Sequence, residues 1–199
     1  NLPLLTKILR YARDIDEPVL LHVKTIKGKG FPHAERNPDA FHGVPPFNSI
    51  TGKPHQVSSD NFSAVFGRTL LRLAERDRRV CAITAAMTGG TGLEPFSQTF
   101  PDRFFDVGIA EGCAASMAAG MAKQGAIPVF AVYSTFLQRA YDMLLHDAAI
   151  DNLHVVLGVD RAGLVGDDGE THHGLFDTAY LDSIPNMTVL APASFAELE

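Results

Sequence analysis

The chain has 199 residues, 46% of them apolar, and a formal net charge of −6. That is enough material for one full domain or parts of two, and the acidic balance excludes a broad basic face for nucleic acid or an anionic membrane surface. No apolar run is long enough to span a bilayer, and the opening NLPLLTKILRY lacks the n-region and cleavage site of a signal peptide.

Leu5, Ile8, Leu9 and Ala12 fall at helical spacing and predict a helix over residues 3–13; PVLLHVKT then reads as a buried strand. From Lys27 to about Asp60 the sequence is rich in Gly, Pro, Asn and Ser without a sustained period, which marks a long connection between domains. The missing initiating Met, and the helix that SFAELE opens at the far end, predict a piece of a longer protein. The expected division is 1–55, the tail of a preceding α/β domain with its linker, and 56–199, a second domain.

From Asn61 helices and strands alternate. Helix NFSAVFGRTLLRLAERD leads to strands RVCAIT and FFDVG, then to helix EGCAASMAAGMAKQ and strand IPVFAVY. Helix STFLQRAYDMLLHDAAI, strand LHVVLGVD and strand MTVLAP follow. Short β-branched runs separated by helical lengths predict an α/β fold, an open and mainly parallel sheet with helices on both faces. Ligands of such sheets gather at the carboxyl ends of the strands. Ala85–Gly92, Ile109–Glu111, Tyr133–Phe136 and Arg161–Gly174 therefore share one rim.

The acid Glu111 stands in FFDVGIAEG, where an apolar strand ends and a small-residue helix begins at once, a position suited to chemistry. GGTG at Gly89–Gly92 lacks the Lys and Ser/Thr of a phosphate-binding P-loop and reads as a turn. Adjacent His172 and His173 suit proton transfer or anion contact better than a metal, since neighbouring loop side chains point apart. Taken singly, Arg139 predicts a salt bridge with Asp142 or Asp147 at helical spacing, Phe136 and Met87 predict core packing, and His22, His146 and His154 structural roles. Cys81 and Cys113, the two cysteines, read as buried thiols of a reducing cytoplasm.

Taken together, FDVGIAEG, YSTFLQRAYD, DRAGLVGDDGETHHG, the upstream KTIKGKGF and AFHGVPPF, and IPNMTVLAP resemble the 1-deoxy-D-xylulose-5-phosphate synthase family of thiamine-diphosphate enzymes, in order and over essentially the whole chain. The resemblance implies a pyrimidine-binding domain over 56–199 and decarboxylation of pyruvate, with ligation of the two-carbon unit to glyceraldehyde 3-phosphate. It also implies thiamine diphosphate with Mg²⁺ as cofactors, a homodimer, and no nucleic-acid or membrane partner. Glu111 would contact N1′ of the aminopyrimidine ring, where a shared proton favours the imino tautomer and lets N4′ take the thiazolium proton. Met87, Ile109 and Phe136 would line that ring, and Phe31 would take an aromatic position that is often Tyr in the family.

Tyr133, Arg139, Arg161, Asp168 and His172 match positions around the aldehyde acceptor, with Arg161 suited to its phosphate and Asp168 or His172 to its hydroxyls. His42, and with it His172, would move protons near the reacting carbons. Two departures stand out. Gly112 and Cys113 occupy places where many relatives carry Gln-His. No Gly-Asp-Gly followed by Asn, the family's Mg²⁺ and diphosphate motif, occurs in these residues, so no metal ligand is expected among them. A transketolase-like ketol transfer and a non-catalytic binding or assembly module remain as alternatives.

Overall fold

The computed structural model describes residues 1–55, 61–166 and 169–199. It divides into two units, residues 1–58 and 59–199.

In the first unit, α1 (Leu2–Arg13) starts at Asn1, whose side chain accepts a hydrogen bond from the Leu4 N–H at 3.2 Å. Its apolar stripe buries no residue. PVLLHVKT is not a strand: residues 18–25 run without secondary structure, with Leu20 96% exposed. A strand exists through the neighbour that takes its N–H and C=O groups. The one bridge among the described residues of this unit lies elsewhere, between Phe47 and Pro54. The long connection holds α2 (Pro32–Arg36) and an aromatic cluster in which Phe31, Phe41 and Phe47 pack with ring centroids 5.3–5.7 Å apart.

The second unit is built on four parallel strands in the order β2-β1-β3-β4. They are β1 (Val80–Thr84), β2 (Phe104–Asp106), β3 (Ile127–Tyr133) and β4 (Val156–Asp160). All five residues of β1 are buried, as are Pro128–Val132 of β3, because these central strands are covered on both faces. Successive side chains point to opposite faces. Val80, Ala82, Val129 and Ala131 accordingly join Leu70, Ala74 and Phe96 on one side, while Ile83, Phe130 and Val132 join Ala114, Ala118 and Leu137 on the other.

The first face is covered by α3 (Phe62–Arg76), capped by Asn61 on the Ala64 N–H, and by α4 (Glu94–Thr99). The second is covered by α5 (Glu111–Lys123), whose alanines let the helix lie close to the sheet. The predicted single helix over 134–150 is instead four short pieces: α6 (Ser134–Leu137), a 3₁₀ turn (Gln138–Ala140), α7 (Tyr141–Met143) and a π-helical stretch (Leu144–Ala149). Changes of hydrogen-bond register of this kind replace continuity with local fit. Gly112 of α5 leaves the space that Met143 of this segment fills, since a Cβ there would meet Met143 Cε at 2.7 Å.

Beyond β4, α8 (Asp177–Asp182) buries Leu181, and α9 (Phe195–Leu198) is capped by Ser194. The predicted strand MTVLAP does not form. Asn186 takes the left-handed conformation and its side-chain amide donates to the Ala149 carbonyl at 3.1 Å, which draws Met187 onto the core and leaves Leu190 84% exposed.

Fully burying one large apolar side chain contributes about 1.5–3 kcal/mol, whereas one net hydrogen bond contributes about 1 kcal/mol. Phe96, Phe130, Ile83 and Leu137, all fully buried, therefore hold the unit together. The rim can carry polar groups and unusual backbone without endangering the fold.

Candidate functional site

The sheet order places the switch point between β1 and β3, because the chain leaves β1 toward one edge to form β2 and leaves β3 toward the other to form β4. At such a point the loops after two adjacent strands diverge and open a crevice. Met87 follows β1 and Tyr133 ends β3, and the Tyr133 N–H donates to the Met87 sulfur at 3.3 Å across that crevice.

Glu111 is the first residue of α5 and only 3% exposed. A carboxylate in the first turn is favoured by the unsatisfied N–H groups of the helix start. Its Oε1 also accepts from the Arg139 guanidinium at 2.7 Å. Arg139 thus pairs with Glu111, not with Asp142 or Asp147 as helical spacing predicts. The 3₁₀ turn carries it toward α5, and Asp147 takes the Ser116 hydroxyl instead. The same guanidinium lies 4.8 Å over the Phe136 ring.

Phe136 stacks with Tyr133 (6.1 Å, 21° between planes) and receives the edge of His172 at 5.3 Å. Arg161 lies 3.9 Å over the other partner of that stack, Tyr133, and donates to the Gly90 carbonyl at 3.1 Å. Arg161 holds a left-handed backbone (φ 55°) that Asp160 supports by accepting from the Arg161 N–H at 2.7 Å. Asp160 also accepts from the Ser63 hydroxyl. Glu111, Arg139, Phe136, Tyr133, Arg161, His172 and Met87 therefore form one connected set. His173 stands apart in role: its Nδ1 accepts from the Val165 N–H at 3.1 Å and helps close the loop, with Gly163 and Gly174 bonded to each other.

Ile109 projects 81% exposed from the turn between β2 and α5, two residues before the buried acid. Asp168 lies outside the described residues. Phe31 and His42 belong to the first unit, where Phe31 packs in the aromatic cluster and His42 is exposed. His22, His146 and His154 are exposed, which does not fit the structural roles expected of them. Cys81 is buried and burial pushes its thiol above the ordinary range, but Cys113 is exposed on α5, contrary to the expectation of two buried thiols. Periodicity alone gave no warning, because α5 is alanine-rich all round.

The GGTG turn packs closely against α3: a Cβ on Gly67 would overlap the Gly92 carbonyl oxygen, and one on Gly92 the Ser63 carbonyl. Sequence reading passed over Asp106 and Asp160, because an acid at a strand end resembles a solvated charge. The signal was available in D-x-G after FF and in D-R before the rim loop.

A flat heteroaromatic ring with one basic ring nitrogen needs a desolvated carboxyl group and apolar faces. Glu111 is such a carboxyl group, joined through Arg139 to the Phe136 ring, and Met87 and Ile109 add apolar side chains from the loops after β1 and β2, so the residue types fit the aminopyrimidine of thiamine diphosphate. Among the described residues no group of three or more His, Cys, Asp or Glu side chains could hold a metal ion. No helix among them is long and apolar enough to cross a membrane.

Among curated proteins the chain is similar to 1-deoxy-D-xylulose-5-phosphate synthase of Clostridium acetobutylicum, 56% identical over 100% of this chain and 32% of that protein. It is also similar to the synthase of Desulforudis audaxviator, 54% identical over 100% of this chain and 31% of that protein. The chain thus spans about a third of the length of these relatives. Among solved structures it is similar to a split-gene transketolase described as an inactive beta4 tetramer, with TM-score 0.61 and 28% identity over 69% of this chain and 44% of that one. Transketolase from Leishmania mexicana, with TM-score 0.64 and 22% identity over 84% of this chain and 27% of that one, shares the fold. The family model described as "Transketolase, pyrimidine binding domain" matches residues 59–199, which include every strand and rim loop above, and the chain belongs to that family.

Proposed function

We propose that these residues are the pyrimidine-binding portion of a 1-deoxy-D-xylulose-5-phosphate synthase, which joins pyruvate and glyceraldehyde 3-phosphate with release of CO₂. The observation that carries the reading is Glu111, a buried acid at the start of α5, backed by identity of 54–56% with such synthases along the whole chain. Thiamine diphosphate supplies the carbon nucleophile and electron sink when bound. Glu111 holds a proton at the ring nitrogen, Met87, Ile109 and Phe136 pack the ring, and water is kept from the carboxyl group by the surrounding core.

Arg161, stacked on Tyr133, meets the acceptor phosphate. Asp168, Arg139 and His172 orient the acceptor's hydroxyls and carbonyl, and His42 and His172 move protons there. Residues 1–55 form the tail of the diphosphate-binding domain and its linker, and Phe31 is the cofactor-contacting aromatic of that segment. Mg²⁺ and the diphosphate are held by residues outside 1–199, so the isolated chain is inactive. The working form is a cytoplasmic homodimer, a setting that the two unpaired cysteines support.

In the longer protein that carries this sequence, Glu111→Gln abolishes turnover of pyruvate with glyceraldehyde 3-phosphate while the melting temperature stays near that of the parent. Turnover at a near-parental rate would sink the reading. The transketolase neighbours make ketol transfer the second reading. Product analysis separates the two, because only the first requires CO₂ from pyruvate.

A further inference from the structure

We infer that Asp106 is a positioning residue that fixes both walls of the ring pocket with a single carboxylate. It ends β2, and its Oδ1 accepts from the Ala86 N–H at 2.8 Å and from the Gly108 N–H at 3.0 Å. Its Oδ2 accepts from the Thr88 hydroxyl at 3.0 Å. Ala86 and Thr88 flank Met87 on either side, and Gly108 immediately precedes Ile109 in the turn that delivers Glu111. One side chain therefore ties the loop after β1 to the turn after β2.

The backbone needs this tie. Ala86 has φ 60°, the left-handed region, which L side chains adopt only at a steric cost. Asp106 holds Ala86 there through its bond to the Ala86 N–H, although the carboxylate itself is exposed. Met87 is fixed from its carbonyl side as well, which accepts from the Thr91 N–H at 3.0 Å and hydroxyl at 2.8 Å. Without Asp106 the left-handed turn relaxes, and Met87 and Glu111 lose their common reference point. Glu111 keeps its partner Arg139 but not its spacing to the opposite wall.

The inference rests on the thiamine-diphosphate reading for the identity of the ring, and the test separates the two. In the longer protein, Asp106→Ala, Asp106→Asn and Thr88→Val are compared by calorimetric binding of thiamine diphosphate with Mg²⁺, by turnover, and by hydrogen exchange of residues 85–92 and 108–111. Asparagine keeps an acceptor for both N–H groups and can donate to the Thr88 oxygen. Asp106→Ala is expected to weaken cofactor binding and lower kcat about 10- to 100-fold and to speed exchange in both segments; Asp106→Asn restores most of each, and Thr88→Val falls between.

Equal impairment of Asp106→Asn and Asp106→Ala, or parental affinity and exchange in Asp106→Ala, overturns the role. Should Asp106→Ala fail to fold, parental affinity in Thr88→Val together with impaired affinity in Asp106→Asn overturns it. Failure of the parent protein itself to bind thiamine diphosphate overturns the functional reading instead, and the exchange data then decide the role of Asp106 by themselves.

Discussion

Gly90 has no room for a side chain, since a Cβ there would overlap the Tyr133 hydroxyl. Tyr133 cannot easily retreat, with Phe136 stacked on its ring and Arg161 across it. Overpacking of this kind costs about 1–3 kcal/mol. Gly90→Ala is therefore expected to lose about that much stability by urea melts and, under the function proposed above, to raise the KM for glyceraldehyde 3-phosphate in the longer protein, by moving Arg161 off both Tyr133 and the Gly90 carbonyl. An unchanged KM would mean that Arg161 is not held by this stack. The Arg139–Glu111 pair has a different character: the arginine is half exposed and its carboxylate partner buried. A half-exposed pair adds little stability by itself, so its value lies in giving Glu111 a counter-charge inside a largely apolar shell.

Among the elements, the turn from α3 into β1 carries an exposed ionic clamp in which Arg79 grips both oxygens of Asp77. The guanidinium and the Arg79 N–H hold the Asp77 carboxyl at about 2, below its ordinary 3.8. A depressed carboxyl binds fewer protons folded than unfolded, so stability rises with pH in this window. The contribution is complete above about 3.8 and is lost as pH falls toward about 2. Melting temperatures of parent and Asp77→Asn should converge across that range and differ by a constant amount above it; parallel curves throughout would remove the clamp from the account.

Elements buried on two faces were readable from composition alone, as β1 and β3 attest. Residues 18–25 and 187–192 carry the same apolar residues but depend on a hydrogen-bonding neighbour, which a linear pattern does not reveal. The same limit applied to the site: Glu111 was visible as an acid at a strand-to-helix junction, but its pairing with Arg139 arises from a 3₁₀ turn that helical spacing cannot foresee. Asp106 was hidden because its importance lies in three partners distant or unremarkable in sequence.

For the molecule as a whole, the parallel order of strands also governs how the chain reaches its fold. No two strands of the sheet are joined by a hairpin, and β1 meets β3 only after α4, β2 and α5 have been set aside. The entropy of closing such loops falls due before the central ladder forms. Refolding of the 199-residue chain from urea is therefore expected over milliseconds to seconds, read by stopped-flow fluorescence of its tyrosines, and a microsecond phase carrying the whole amplitude would contradict this. During that interval the apolar runs of β1 and β3 lie open to other chains, so the yield of refolded protein should decline as its concentration rises. The topology that opens a crevice for a cofactor thereby makes the nascent chain vulnerable to aggregation.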